Sequence, residues 1–121
     1  MQVKKWTIYR ADLDPVIGSE QGRSRPVLVF SEDGINELLN TVNIFPITSR
    51  KIGREIYPNE VLILSNKHGL EKESIVLCHQ IRTIDKIRPS VIYGVIDDQK
   101  LQNEIIDAIS FQLGIDSSSL K

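Results

Sequence analysis

Gly18-Ser19-Glu20-Gln21-Gly22-Arg23-Ser24-Arg25-Pro26-Val27-Leu28-Val29-Phe30-Ser31 sets a polar, glycine-bracketed loop directly against the most hydrophobic run of the chain. An unbroken Val-Leu-Val-Phe run suits a strand covered on both faces, since a strand with one wet face would alternate. We read that strand over residues 25–31. Outward from it, residues 7–95 consist of short apolar or alternating runs separated by Gly, Pro, Asn and Ser, the texture of a mainly β core. Further strands are expected at residues 7–12, closed by Asp14-Pro15, and at 42–48, 58–64, 74–83 and 91–95, with a turn over 66–69. Asp33-Gly34 marks a turn and residues 35–40 allow one loose helical turn. The segment 49–56, with Arg50, Lys51 and Arg54 beside Gly53, reads as a solvated, mobile loop.

After Ile96 the period lengthens to about 3.6, and Leu101, Ile105, Ala108, Ile109 and Leu113 fall on one helical face. Asp97 or Asp98 can cap the amino end and Gly114 stands where a left-handed carboxyl cap is wanted, so a helix is expected over 98–113. Its apolar stripe must cover the open end or face of the preceding barrel. The tail, 116–121, is expected to fray.

A chain of 121 residues with 40% hydrophobic content fits one domain over residues 1–121. Its net charge of −1 includes neither a polybasic nor an acidic tail. Apolar runs such as Val61-Leu62-Ile63-Leu64 fall far short of the ~20 residues that span a membrane, so no membrane association is expected. No apolar stretch of ~7–15 residues follows Met1-Gln2-Val3-Lys4-Lys5-Trp6, which makes the cytoplasm the expected compartment. One cysteine, Cys78, and two histidines offer neither a disulfide nor a soft-ligand metal set, so no metal or cofactor is expected.

Three places could carry chemistry. Arg25 stands at the mouth of the apolar strand, where a guanidinium can grip a phosphate through two parallel charge-assisted bonds; the loop before it lacks the Lys-Ser/Thr of a Walker motif. In Phe45-Pro46-Ile47-Thr48-Ser49-Arg50-Lys51, two hydroxyls that can orient a phosphate oxygen precede two cations. Taken alone, Arg25 beside proline at a strand start reads rather as an ordinary surface arginine, and Thr48 and Ser49 serve equally as a common strand threonine and turn serine. In Leu77-Cys78-His79-Gln80-Ile81-Arg82-Thr83, strand alternation would set Leu77, His79, Ile81 and Thr83 opposite Cys78, Gln80 and Arg82. That separation argues against a Cys78–His79 nucleophilic pair and leaves Cys78 as a packing residue. His68 and His79 could act as an acid and a base only if the fold joined them.

Five blocks in order, Asp12-Leu13-Asp14-Pro15, Gly18-Ser19-Glu20-Gln21-Gly22, Arg25-Pro26-Val27-Leu28-Val29, Pro46-Ile47-Thr48-Ser49 and Gln80-Ile81-Arg82-Thr83-Ile84-Asp85-Lys86, closely resemble the MazF/PemK family of toxin endoribonucleases over residues 8–88. The resemblance implies an SH3-like β-barrel of the MazF/PemK/CcdB type with helical additions, a homodimer, and sequence-specific, metal-independent cutting of single-stranded RNA. It also implies a cognate antitoxin, through which a toxin–antitoxin complex can reach DNA. By that resemblance Arg25 and Thr48 are the catalytic pair for attack of a ribose 2′-hydroxyl on phosphorus, leaving a 2′,3′-cyclic phosphate and a 5′-hydroxyl. Ser19, Glu20, Gln21, Ser49, His79, Gln80 and Arg82 are the expected substrate contacts, on the loops whose polar groups can reach unstacked bases.

The chain departs from the family at Lys5-Trp6-Thr7, where an Arg-Gly-acid triplet is usual, and at Pro89. His79 replaces a carboxylate common before the Gln-Ile-Arg-Thr block, and a neutral imidazole could take a base's role there. Charge up to residue 90 is mildly basic and charge after it acidic, so Arg23, Arg25, Arg50, Lys51, Arg54 and Arg82 are expected to converge on one groove. The competing reading is a binding protein on the same barrel, either a degenerate toxin or a gyrase-directed one.

Overall fold

Residues 2–116 are described in a computed structural model, and along them the chain forms β1 (Thr7–Asp12), β2 (Ser24–Val29), α1 (Asp33–Leu38), β3 (Thr41–Ser49), β4 (Glu60–Ile63), β5 (Ser74–Leu77), a 3₁₀ turn (Cys78–Gln80), β6 (Arg82–Asp85), β7 (Ile92–Val95) and α2 (Gln99–Leu113). Residues 117–121 of the expected frayed tail lie outside the described residues. The strands form one antiparallel sheet in the order β4-β5-β3-β2-β1-β7, with β6 also paired to β3. The product is the expected mainly β architecture, a strand-rich half-barrel of the SH3-like type with a carboxy-terminal helix. Asp33-Gly34 opens α1 rather than forming a separate turn. Among the described residues no helix is long and apolar enough to cross a membrane.

The single strand expected over residues 74–83 is in fact broken, and the reason lies in β3. Ile47 faces Val76 on β5 while Ile44 faces Arg82 on β6. Three steps along β3 therefore match six along its neighbour, and the three surplus residues are Cys78, His79 and Gln80. Pro46 sits at the break. Phe30 N–H donates to Asn43 O, and the alternation of an antiparallel ladder then directs the position that Pro46 lacks an N–H for away from β2, toward the gap between β5 and β6. The alternation read for residues 77–83 does not hold through this turn. Cys78 is buried in the core, and His79 and Gln80 are half-buried on its other side.

Strand β2 is covered on both faces, as its apolar run requires. Leu28 joins Ile8, Phe45, Ile47, Ile63, Val76 and the α2 residues Leu101, Ile105, Ala108 and Ile109 in one core. Val27 and Val29 join Tyr9, Ala11, Leu13, Val42, Ile44 and Ile84 in a second. Helix α2 is capped by Asp98, whose carboxylate accepts from Lys100 N–H, and ends at Gly114 with φ of 69°. Leu113, expected on the buried stripe, is instead 54% exposed, because the last turn carries it past the core with Phe111 and Ile115.

Closure of the barrel depends on two glycines. A Cβ on Gly69 would overlap the Tyr93 carbonyl, and one on Gly94 would overlap the His68 carbonyl, so the turn after β4 packs backbone to backbone against β7. His68 Nδ1 lies 3.0 Å from Val95 O and seals the same edge.

The segment 49–56, expected to be mobile, is tied down. Arg50 donates to Glu73 Oε1 at 3.0 Å and to Arg54 O at 2.9 Å. An exposed ion pair contributes about 0–1 kcal/mol, less than the about 1–2 kcal/mol needed to fix one residue's backbone, so this pair alone would not order the loop. Glu60 decides the matter. Its side chain, 2% exposed, accepts from Arg54 at 2.9 and 2.7 Å and from Tyr57 N–H at 3.1 Å. Arg54's hydrogen bonds hold the carboxyl below its ordinary pKa, with the Tyr57 N–H helping and burial opposing.

Replacing Gly94 with Ala should remove about 2–3 kcal/mol of stability by urea unfolding, because overlap with backbone has no side chain to yield. Glu60→Gln should lose about 1–2 kcal/mol at pH 7. Since Glu60's folded pKa is lowered, its contribution is present above the unfolded carboxyl value and disappears as pH falls through the folded one. Native and variant unfolding curves should therefore converge at acid pH, and a gap that persists there would contradict the assignment.

Candidate active site

The loop between β1 and β2 is folded on itself by its own side chains. Asp14 Oδ1 accepts from Arg23 N–H at 2.7 Å, Asp12 Oδ1 from Asp14 N–H at 3.0 Å, and Glu20 Oε1 from Ile17 N–H at 2.6 Å. Gly22 leaves room for this arrangement, because a Cβ there would push against the Asp14 carboxylate and the Val16 side chain. The broken strand holds this loop from the other side. Gln80 Oε1 accepts from Gln21 N–H at 2.7 Å, Gln80 Nε2 donates to Ser19 O at 3.4 Å, and Arg82 donates to Leu13 O at 3.0 Å.

Between loop, turn and β3 lies a cleft of about 300 Å³ lined by Gln21, Thr48, Ser49, Lys51, Arg54, Leu77, His79 and Gln80. Five of the nine residues expected at the site thus share one wall: Thr48, Gln21, Ser49, His79 and Gln80. Ser19, Glu20 and Arg82 are not among the lining. Glu20 and Arg82 are engaged in shaping the loop, and Ser19 offers its carbonyl to Gln80. His79 Nδ1 is buried and has no hydrogen-bond partner among the described residues. His68 lies elsewhere, on a groove beside α2, so the fold does not pair the two histidines. Cys78 is unreactive, its thiol pushed up to about 12 by burial and then by Glu60.

Arg25 stands at the edge of this arrangement. Its Nε donates to Gly22 O at 2.6 Å, and among the described residues its terminal amino groups make no hydrogen bond or ion pair. Burial, then the neighbouring Arg23 charge, lowers its pKa, while Asp14 pulls the other way. Such a cation gains from an incoming anion. Val27 pairs with Pro46, and continuing that register by two residues would set Arg25 opposite Thr48 with both side chains on one face.

The expected convergence of six cations is only partly realised. Lys51 and Arg54 line the cleft, whereas Arg50 is paired with Glu73, and Arg82 is committed to the loop backbone. The sequence reading missed the Arg54–Glu60 pair; the turn signature Tyr57-Pro58-Asn59-Glu60 was the available signal. Among the described residues no three His, Cys, Asp or Glu side chains converge as a metal cage. A second, larger groove of about 1210 Å³ runs between edge strand β4 and α2, with Leu62, Leu64, Phe111 and Ile115 in its apolar lining and Asp97, Asp98 and Glu104 on its rim.

The chain is similar in sequence and fold to known proteins. The chain is 39% identical over 113 residues to the endoribonuclease MazF of Staphylococcus saprophyticus subsp. saprophyticus, covering 93% of this chain and 92% of that one. The crystal structure of MazF from Deinococcus radiodurans superposes with a TM-score of 0.79 at 25% identity, covering 95% and 99% of the two chains. A MazE–MazF crystal structure from the same organism gives 0.71 at 25% identity, covering 96% and 99%. Residues 4–110 match the family described as PemK-like, MazF-like toxins of type II toxin–antitoxin systems. With a half-barrel sheet and carboxy-terminal helix in agreement with that match, the chain belongs to the PemK-like, MazF-like toxin family.

Proposed function

We propose that this chain is one toxin domain that cuts single-stranded RNA, messenger RNA in particular, at chosen sequences in the cytoplasm, with no metal and no cofactor. What supports this most is Arg25: a half-buried guanidinium whose amino groups have no partner among the described residues, at the head of a rigid strand beside a cleft lined in part by Thr48. The nucleophile in this reaction belongs to the substrate. The 2′-oxygen bonds to phosphorus as its proton leaves, the bond from phosphorus to the 5′-oxygen breaks, and that oxygen takes up a proton. The products are a 2′,3′-cyclic phosphate and a 5′-hydroxyl.

Arg25 stabilises the added negative charge of the pentavalent phosphorus and Thr48 holds a phosphate oxygen or the 2′-hydroxyl in line. Gln21, Ser49, His79 and Gln80 contact the nucleotides from the cleft wall, while Ser19, Glu20 and Arg82 keep the flanking loop in shape for them. The family match and the endoribonuclease name of the Staphylococcus relative support the activity. The MazE–MazF assembly supports a cognate antitoxin, an acidic and apolar segment laid across the cleft in place of RNA. A second copy of this chain covers the β4–α2 groove, where an edge strand and exposed Leu64, Phe111 and Ile115 would otherwise face water.

Purified protein incubated with a long single-stranded RNA in EDTA should cut it at recurring sequences, with cyclic phosphates at the new ends. Arg25→Ala should lower the rate by ~10²–10³ with an unchanged circular dichroism spectrum; undiminished cutting by this variant would remove Arg25 from the mechanism. By light scattering the native protein should have twice the 13.7 kDa chain mass and Phe111→Asp the single mass. Equal masses for the two would displace the interface from this groove.

A further inference from the structure

We infer that Tyr57 is a stacking platform for one base of the bound RNA, a subsite that rests on the nuclease reading above. Tyr57 is 54% exposed, a large aromatic surface open to solvent. One face of its ring is already occupied: the Arg54 guanidinium carbon lies 5.8 Å from the ring centroid, and the same Arg54 lines the catalytic cleft. The ring is therefore one side chain removed from the cleft wall, a distance the next nucleotide of a bound strand can bridge.

The backbone beneath the ring is held at both ends. Glu60 N–H donates to Tyr57 O at 2.9 Å, Tyr57 N–H donates to Glu60 Oε1 at 3.1 Å, and Pro58 occupies the second position of the resulting turn, where its fixed φ belongs. Arg54 is anchored in turn by two bonds to that carboxylate, so the cation stays under the ring when a ligand arrives. An aromatic ring that is rigid and has one open face loses little conformational entropy on binding. Every base presents a π-face to such a ring, and proteins that grip single strands use aromatic rings in this way. Arg54 lies against the ring and Lys51 lines the adjoining cleft, so a strand that offers phosphates to the cleft and a base to the ring meets both, and a nucleic acid supplies the two together.

The test uses a labelled single-stranded RNA carrying a mapped cut site, and a series of the same RNA with one abasic nucleotide at each position around it. Tyr57→Ala should raise KM by about 5- to 150-fold with kcat retained, and Tyr57→Phe should behave as the native protein. One abasic position should weaken the native protein and leave Tyr57→Ala unaffected, because the partner ring is already gone. If Tyr57→Ala cuts the RNA with native KM and keeps native sensitivity at every abasic position, the platform is disproved while the nuclease reading stands. If the native protein neither binds nor cuts RNA, both fail together.

Discussion

One strand has to satisfy two partners along the same edge, and the site follows from how it does so. Strand β3 pairs with β5 in one register and with β6 in another that is offset by three residues. The chain absorbs the offset as a 3₁₀ turn, and Pro46 leaves that part of the ladder without a donor. A continuous strand would have sent successive side chains to opposite faces of the sheet. The turn instead drives Cys78 into the core, lines the cleft with His79 and Gln80, and aims Gln80 at the backbone of the β1–β2 loop. Cleft-lining groups are thereby mounted on a rigid element rather than on the loops alone.

Electrostatics divides the basic residues into two sets with different work. Arg50, Arg54 and Arg82 are occupied by Glu73, Glu60 and the Leu13 carbonyl, and through them the two loops flanking the cleft are ordered. Among the described residues, Arg25 at the strand head, Lys51 in the cleft wall and the exposed Arg23 are the cations of this set whose terminal charged groups have no side-chain partner. A protein with a net charge of −1 can thus present local positive potential, since a phosphate is drawn by the unsatisfied guanidinium near it rather than by the total. The buried Glu60 gives this division its stability. Its carboxylate takes three donors, and losing any one would leave a charged group short of a partner away from water.

Periodicity exposed much of this fold in advance. The doubly covered β2 was legible from Val27-Leu28-Val29, and helix α2 from the spacing of Leu101, Ile105, Ala108 and Ile109 between Asp98 and Gly114. The break after Leu77 was not legible, because Ile75 to Thr83 satisfies strand propensity throughout and the offset resides in β3's pairing, a tertiary fact. The same limit explains the segment 49–56. Its composition is that of a mobile loop, and what orders it is Glu60, a residue that local polarity would place on the surface but that the fold buries. At the site, Thr48, Gln21 and Gln80 were legible only through five blocks read together, since each alone has an ordinary structural use. The contact of Arg54 with the Tyr57 ring was not legible either, because it depends on where the fold places Arg54.

The account turns on whether one phosphodiester can touch the Arg25 guanidinium and the Thr48 hydroxyl at once. A crystal structure with an RNA bearing a 2′-deoxynucleotide at the cut site would show this directly, because the missing nucleophile leaves the strand intact. The scissile phosphate should lie within hydrogen-bonding distance of both groups, with the neighbouring bases against Gln21 and Gln80. A phosphate held by neither, or two side chains directed into separate regions with the RNA bound elsewhere, would contradict it.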